Sequence, residues 1–383
     1  MIELMTRDDI FQWAEVAPFY QAGLAGYSDA AMRGIARRHG CPYCVTEAML
    51  DQFLLRGGKG LAAAQLWDQD HPIAGQLMGA VPKEMAEAAR ILCDLGYDVI
   101  DVNLACPVKK IRRKARGGYL LGEPQVAMAI LDAVRQAVPP HVPCTVKLRR
   151  GSDDSAAALA NFHQIFGTAI ELGYAGATVH CRTVDQKYHG PGERAFLRRL
   201  VEQYRGATTM ARGTAMGGHR LALAPGDKVR LSEIGRIRPD FLIGGSGDVW
   251  EAADIFTMIA ETGVDIVSVA RGCIGNPWLF AQARDLMAGR PAVAPGIFEQ
   301  REVLLEHFDL SLALHGPQRA GRMMRKFGIR FARHHPDTEV VRRSFIKIES
   351  PADWHMVLET HYAEDGPGVV SAIPIEAEMA GCT

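Results

Sequence analysis

The sequence lacks several features that would place it in a specialised class of protein. Its 383 residues contain no uninterrupted apolar run of the about 18 residues that a transmembrane helix needs, so we expect no membrane partner. The formal net charge is only −1, so binding to nucleic acid must depend on local patches. The mixed start MIELMTRDDIFQW does not resemble a secretory signal, and eight cysteines in so long a chain indicate reduced thiols. We therefore expect a cytoplasmic protein.

A glycine-rich dinucleotide loop after the first predicted strand is also missing, and this bears on the fold. Short apolar runs alternate with helical patterns such as PKEMAEAARILCDL, which is typical of repeated βα units. Eight strands with helices between them favour a (β/α)8 TIM barrel, of the α/β class, over a doubly wound sheet. The predicted strands are Phe19–Leu24, Tyr43–Thr46, Ile73–Leu77, Val99–Asn103, Cys144–Leu148, Ala177–His180, Phe241–Gly244 and Ile266–Val269.

The spacing of these elements predicts the domain organisation. The interval between strands doubles before Phe241, and the Gly- and Ala-rich segment 206–229 is predicted to be an insertion in the barrel. After Pro291 the pattern changes to consecutive helices. We predict a catalytic barrel over residues 1–290, a smaller helical domain over 291–365 and a loose C-terminal tail over 366–383.

Polar residues recur where the predicted strands end. One such residue would mean little, but six strands end in this way: Gln76, Asn103 with Cys106, Lys147, His180 with Arg182, Ser246 to Asp248, and Arg271. The active site of a TIM barrel lies at the C-terminal ends of its strands. The pattern therefore predicts a polar site at the mouth of the barrel.

Two glycine-rich turns, IGGSGDV and VARGCIGNPW, follow the last two strands. Barrels often bind a phosphate there with backbone N–H groups, and Arg271 would add a charge-assisted contact. Either turn alone could simply terminate a strand. Together they favour a phosphate site.

Lys147 and Cys106 each allow two interpretations. Lys147 could stabilise negative charge at the N1–C2 edge of a reduced flavin. Alternatively, its ammonium could extend to solvent at the rim of the barrel and have no role in catalysis. Cys106 could be a small buried side chain, a nucleophile or a general acid. A cationic stretch beside Cys106 would favour its thiolate.

The motif Cys41-Pro-Tyr-Cys44 could be a redox pair or half of a zinc site. Cys44 enters a strand rather than beginning a helix, and no second CxxC completes a zinc site. We therefore predict no metal site and favour a structural role.

Two basic stretches interrupt the otherwise balanced charge pattern. Such runs are usually solvated faces, but one of them lies beside the predicted site, so we favour contact with a polyanion. The first stretch comprises Lys109, Lys110, Arg112, Arg113, Lys114 and Arg116. The second comprises Arg319, Arg322, Arg325, Lys326, Arg330, Arg333, Arg342, Arg343 and Lys347.

The motifs taken together resemble those of the tRNA-dihydrouridine synthase family over about Ala22 to Leu358. The specific ones are DVNLACPVKKIRRKARGGYLL and TVHCRTVDQKYHGP, supported by AGLAGYSDAAMR, QLMG, CTVKLRRG, GGSGDV and VARGCIGNPWLF. The resemblance implies FMN as cofactor, NADPH or NADH as a transient reductant and tRNA rather than DNA as partner. It also implies a helical RNA-binding domain after the barrel, and we expect a monomer.

The resemblance also implies roles for individual residues. Cys106 matches the catalytic cysteine. Positions matching cofactor contacts are Gly23, Leu24, Ala25, Gln76, Lys147, His180, Ser246, Gly247, Asp248, Ala270 and Arg271. Expected substrate contacts are Asn103, Arg182, Lys109, Lys110, Arg322 and Arg325. The chain departs from the family pattern at Gly23, where proline is usual, at Ala105, where glycine is usual, and at Ser246, where asparagine is usual.

The implied reaction is reduction of the C5=C6 bond of a uridine, with hydride passing from FMN to C6 and a proton from Cys106 to C5. The target base must leave its stack to reach the site. One alternative is a small-molecule flavin oxidoreductase acting on a free pyrimidine, like a dihydropyrimidine or dihydroorotate dehydrogenase. Another is a binding protein that has lost the chemistry. The basic helical extension argues against the first, and the presence of Cys106, Lys147 and His180 argues against the second.

Overall fold

A computed structural model describes residues 10, 14, 16–108, 116–211 and 241–370 of the chain, without the side chains of 206–211. The strands are β1 Phe19–Gln21, β2 Cys44–Val45, β3 Met49–Leu50, β4 Ile73–Met78, β5 Val99–Leu104, β6 Cys144–Arg149, β7 Gly176–His180, β8 Leu242–Ser246 and β9 Ile266–Val269. The barrel helices are α1 Ala30–Arg38, α2 Asp51–Leu55, α3 Lys59–Ala63, α4 Pro82–Asp94, α5 Pro124–Ala137, α6 Ala156–Glu171, α7 Arg194–Ala211, α8 Ala252–Thr262 and α9 Trp278–Met287. Four further helices follow: α10 Ile297–His315, α11 Pro317–Phe331, α12 Thr338–Ile346 and α13 Pro351–His361.

The strands form a closed parallel barrel. Each pairs with its neighbour in chain order from β4 to β9, and β9 pairs with β1, which pairs with β2. The ring closes because β2 pairs with β4, and β3 continues beside β4 beyond the end of β2. The predicted TIM barrel is therefore confirmed, since a doubly wound sheet would leave two open edges.

Local sequence signals define several of the barrel helices. Proline occupies the first turn of α4 and α5, where its missing N–H costs no intrahelical hydrogen bond. Ser155 caps α6 by accepting a hydrogen bond from the Ala158 N–H at 3.1 Å. The sequence pattern predicts helices over Pro82–Leu95, Pro124–Val138 and Ser155–Leu172, and α4, α5 and α6 match these segments to within one residue at each end.

The interior of the barrel changes character along its axis. Its lower part is a buried apolar cluster that includes Tyr20, Tyr43, Val99, Leu242 and Ile266. Because alternate residues of a strand face the same side, the next interior positions lie nearer the C-terminal ends of the strands. Those positions carry the polar side chains of the site.

The helices α10–α13 pack on their own aromatic core and against the barrel. The Phe308 and Trp354 rings stack with centroids 5.1 Å apart. His315 contacts Asp29, the N-cap of α1, at 2.8 Å, and the Tyr27 and Phe327 rings meet at 5.5 Å. Since Tyr27 follows β1, the helical region lies beside the C-terminal end of the barrel. Among the helices described, none has the length and apolarity to span a bilayer.

The proposed domain limits stay a prediction. Residues 206–211 continue helix α7, and the rest of the predicted insertion lies outside the described residues. The same holds for the predicted tail beyond residue 370.

Candidate active site

A chain of hydrogen bonds connects Gln76, Asn103 and Cys106 at the mouth of the barrel. The Asn103 amide nitrogen donates to Gln76 Oε1 at 2.7 Å. Asn103 Oδ1 accepts from the backbone N–H groups of Ala105 at 3.0 Å and Cys106 at 3.1 Å. Gln76 and Asn103 are both buried. The amide pair therefore fixes the backbone from which the Cys106 thiol projects.

Cys106 is half-buried and packed against two glycines. Its carbonyl accepts from Gly118 N–H at 3.0 Å, and a Cβ at Gly117 would lie 3.1 Å from the Cys106 Cβ. Burial raises the pKa of the thiol, outweighing a backbone hydrogen bond and the Arg149 charge. The expectation of a thiolate therefore gives way to a thiol that retains its proton at neutral pH.

Most of the first basic stretch lies outside the described residues, including Lys109 and Lys110. Their predicted RNA contacts stay a prediction. Arg116 is described, and it is buried and ion-paired with Asp51 at 3.5 Å. Because its guanidinium is enclosed and paired, Arg116 does not belong to a polyanion-binding surface.

Lys147 extends from β6 into the mouth, where its Nζ donates to Ser268 Oγ of β9 at 3.3 Å. Burial lowers the pKa of Lys147 to about 8, although the charge of Asp101 opposes this shift. The side chain is therefore an ammonium at neutral pH that can titrate in the range of enzyme assays.

His180 ends β7 as a neutral imidazole. Burial and the charges of Arg149, Arg182, Lys147 and Arg271 hold its pKa well below its usual range. Its Nδ1 accepts the backbone N–H of Arg182 at 3.2 Å. The proton of the neutral ring therefore lies on Nε2, so His180 presents a hydrogen-bond donor without a charge.

The turns after β8 and β9 form a common pocket of about 270 Å³, lined by His180, Ser246, Gly247, Asp248, Val249, Trp250, Ser268, Ala270 and Arg271. Gly247 has a φ of +120°, and a Cβ there would lie 2.6 Å from Cys181 Sγ. Only glycine therefore fits this part of the wall. Arg271 lies between two rings, 5.0 Å from the Tyr188 centroid and 4.8 Å from that of Trp250.

Asp248 and Arg182 form an ion pair at the edge of this pocket. A guanidinium nitrogen of Arg182 lies 2.8 Å from both carboxylate oxygens of Asp248, and Asp248 Oδ2 also accepts the Gly192 N–H at 2.8 Å. The pairing offsets a negative charge that would repel a phosphate. Arg182 is only 1% exposed, so a substrate contact requires this pair to open. That contact stays a prediction.

The loop after β1 brings Gly23, Leu24 and Ala25 to the same mouth. A Cβ at Gly23 would lie 2.1 Å from the Thr46 carbonyl oxygen and 3.3 Å from Gln76 Oε1. The Leu24 N–H donates to Ser28 Oγ at 2.8 Å. Glycine thus permits a close approach of the β1 loop to the end of β2.

Arg149 is a site residue that the sequence reasoning missed. It is 2% exposed and donates to the carbonyls of Ala105 at 2.8 Å, Thr183 at 2.8 Å and Lys187 at 2.6 Å. It therefore ties the cysteine loop to the loop after β7. Period-two alternation places Lys147 and Arg149 on the same face of β6, and that signal could have identified it.

The second basic cluster divides into two groups. Arg319, Arg322 and Arg325 are exposed on α11, whose Lys326 Nζ lies 4.5 Å from the Tyr27 ring centroid beside the mouth. Arg333 instead donates to the Gly272 and Ile274 carbonyls, and Arg342 contacts Glu339 at 3.5 Å. Phe327, Phe331 and Phe345 are buried in the hydrophobic core and are therefore not available to stack on bases.

Comparison with known proteins identifies relatives over most of the chain. The model of the dihydrouridine synthase (Dus) family matches residues 20–204 and 223–365. A tRNA-dihydrouridine synthase B of Xanthomonas axonopodis pv. citri is 28% identical over 355 residues, covering 92% of this chain and 94% of that protein. The Shewanella oneidensis protein of that name is 26% identical over 363 residues, covering 90% and 94%. A solved old yellow enzyme from Trypanosoma cruzi aligns at 13% identity and a TM-score of 0.46, covering 73% of this chain and 90% of that one. Because the family match spans both the barrel and the helices that follow it, as the motifs predicted, the chain belongs to the dihydrouridine synthase family.

Proposed function

We propose that this enzyme reduces uridines in tRNA to 5,6-dihydrouridine, with FMN as cofactor and NADPH or NADH as reductant. The observation that carries the proposal is the mouth of the barrel, where the Gln76–Asn103 amide pair fixes the backbone N–H of Cys106. Lys147 and His180 lie at the same mouth. The relatives named as tRNA-dihydrouridine synthase B support the choice of substrate.

The residues present fit FMN. The pocket between the last two strand ends, whose wall includes Gly247, offers Arg271 to a phosphate. Lys147 would hold the electron-rich edge of the flavin, and neutral His180 would donate a hydrogen bond from Nε2. When bound, FMN supplies the hydride that reaches C6 of the base.

Cys106 supplies the proton that completes the reduction. The hydride makes C5 basic, the S–H bond breaks, and the proton passes from Sγ to C5. The resulting thiolate regains a proton from solvent, so the base gains two hydrogens in total. The raised pKa of Cys106 keeps the thiol protonated before the reaction.

The FMN assignment predicts the outcome of a flavin analysis. Denaturation of the protein should release FMN, because the cofactor is not covalently attached. Gly23→Ala should lose most of the FMN, because the new Cβ collides with the Thr46 carbonyl. Gly167→Ala is the matched control, since a Cβ there meets nothing within 4 Å. FAD, no flavin, or full retention of FMN by Gly23→Ala would contradict the assignment.

We propose that the exposed basic face of α11 binds the tRNA backbone while the target base enters the mouth. The Arg322→Glu, Arg325→Glu double variant should weaken tRNA binding and reduce its salt slope by about 1.5 to 2, because about two phosphate contacts and their counterions are lost. Flavin content and oxidation of the nicotinamide should remain normal, since the barrel is unchanged.

The matched control for this double variant is Arg90→Glu, Arg198→Glu, which makes the same change of net charge at exposed positions on α4 and α7. Binding titrations over a range of salt compare the two proteins. Equal losses of affinity would mean that only net charge matters, and an unchanged affinity of the α11 variant at low salt would exclude this face.

A further inference from the structure

The hydrogen-bond chain that ends at Cys106 begins at a carboxylate inside the barrel. Asp101 of β5 lies directly opposite Gln76 of β4 and Thr145 of β6. Its Oδ2 accepts from the Gln76 amide nitrogen at 2.8 Å, and its Oδ1 accepts from the Thr145 hydroxyl at 2.6 Å. Asp101 is buried and lines the barrel interior beside Tyr20 and Tyr43, two residues before Asn103 on the same face of β5.

The two ends of this chain impose the same direction on it. Both carboxylate oxygens of Asp101 accept hydrogen bonds, so the Gln76 amide turns its NH2 group towards Asp101 and its oxygen towards Asn103. Asn103 must then donate its NH2 group to Gln76, which leaves its oxygen for two backbone N–H groups, including that of Cys106. Backbone N–H groups can only donate, so both amides have one satisfied orientation.

We propose that Asp101 is a positioning residue for Cys106: its carboxylate fixes the orientation of the Gln76 and Asn103 amides, which hold the thiol where it protonates the base. This inference rests on the proposed function for the identity of the proton acceptor. The geometry of the chain itself does not depend on that function.

Asp101 could affect the site in a second way, because its negative charge also favours the ammonium form of Lys147. The two effects separate in Asp101→Asn and Asp101→Leu. Both variants remove the charge. Asparagine keeps an oxygen that accepts from Gln76, whereas leucine has no acceptor and leaves the buried Gln76 NH2 group unpaired.

The experiment measures the two half-reactions separately in stopped flow. Asp101→Leu should slow reoxidation of the reduced enzyme by tRNA by about 10²-fold, since small displacements of a reacting group have effects of this size. Any change in reduction by NADPH should be smaller and equal in the two variants, since both remove the charge near Lys147, and Asp101→Asn should restore most of the reoxidation rate. Equal loss in both variants, or equal loss in both half-reactions, would overturn the proposal.

Thr145→Val provides a test that does not depend on the folding of Asp101→Leu. It removes one hydrogen bond to the carboxylate and keeps the charge. If the Thr145 hydroxyl holds the carboxylate in place for Gln76, Thr145→Val should slow reoxidation although the charge is kept, whereas an effect of charge alone predicts the wild-type rate.

Alkylation of Cys106 by iodoacetamide gives a readout that needs neither RNA nor flavin chemistry. Peptide mass spectrometry would follow Cys106 against Cys93, which is also half-buried but lies on α4 away from the chain. The ratio of the Cys106 to the Cys93 alkylation rate should change about tenfold in Asp101→Leu, a size that the loss of one buried hydrogen bond allows. In Asp101→Asn this ratio should stay close to that of the wild type. An unchanged ratio in Asp101→Leu would overturn the proposal. If this pattern holds while the wild type forms no dihydrouridine, the proposed function fails and the positioning role stands.

Discussion

Replacement of Cys106 by alanine is expected to slow dihydrouridine formation by about 10² to 10⁴-fold, the usual effect of losing a general acid. Reduction of the flavin by NADPH should proceed normally, because in the proposed reaction the thiol acts only after the hydride has reached the base. The structure supports this separation, since the chain from Asn103 reaches Cys106 through its backbone N–H and not through its thiol.

Cys93→Ala is the matched control, because Cys93 is a half-buried free thiol of the same barrel. It should retain the activity of the wild type. Single-turnover assays with tRNA would compare the two variants after verification of flavin content. Near-normal turnover by Cys106→Ala would remove the acid role and leave Cys106 as a packing residue.

Replacement of Lys147 by methionine should slow reduction of the flavin by about 10² to 10³-fold, the effect of removing one preorganised charge-stabilising group. Methionine preserves the length of the side chain and its packing in the mouth but removes the ammonium. Lys83→Met is the control, since Lys83 is exposed on α4. Stopped-flow reduction by NADPH measures both proteins.

The pH dependence gives this prediction a definite sign. Burial lowers the pKa of Lys147 to about 8, so its ammonium form is depleted as the pH rises through that value. The rate of flavin reduction by the wild type should therefore fall above about pH 8, and Lys147→Met should lack that limb. A limb that persists unchanged in the methionine variant would assign the titration to another group.

The ends of the strands were the most predictable part of the molecule. Gln76, Asn103, Lys147 and His180 could be placed at one mouth because parallel strands bring their C-terminal ends together and alternation decides which side chains point inward. The closed barrel was predictable from the number and spacing of the apolar runs.

Partners across strands and loops were not predictable from the sequence. Arg271 lies between the Tyr188 and Trp250 rings, and these three residues come from three separate loops. Asp101 contacts Gln76 because the register between β4 and β5 places them opposite each other. The pattern of basic residues led to a wrong expectation for two arginines, because their partners are also distant in sequence. Arg116 and Arg333 read as surface cations, yet a buried carboxylate and two backbone carbonyls bind them.

The most direct test of the proposed activity measures dihydrouridine by mass spectrometry in unmodified tRNA incubated with the enzyme, FMN and NADPH. We expect the wild type to add two hydrogens to specific uridines, and Cys106→Ala to add almost none while still oxidising NADPH. Free uracil and orotate, which both carry a C5=C6 bond, serve as competing substrates in parallel reactions. If the tRNA gains no dihydrouridine while a free pyrimidine is reduced, the proposed function is contradicted and the small-molecule oxidoreductase is supported instead.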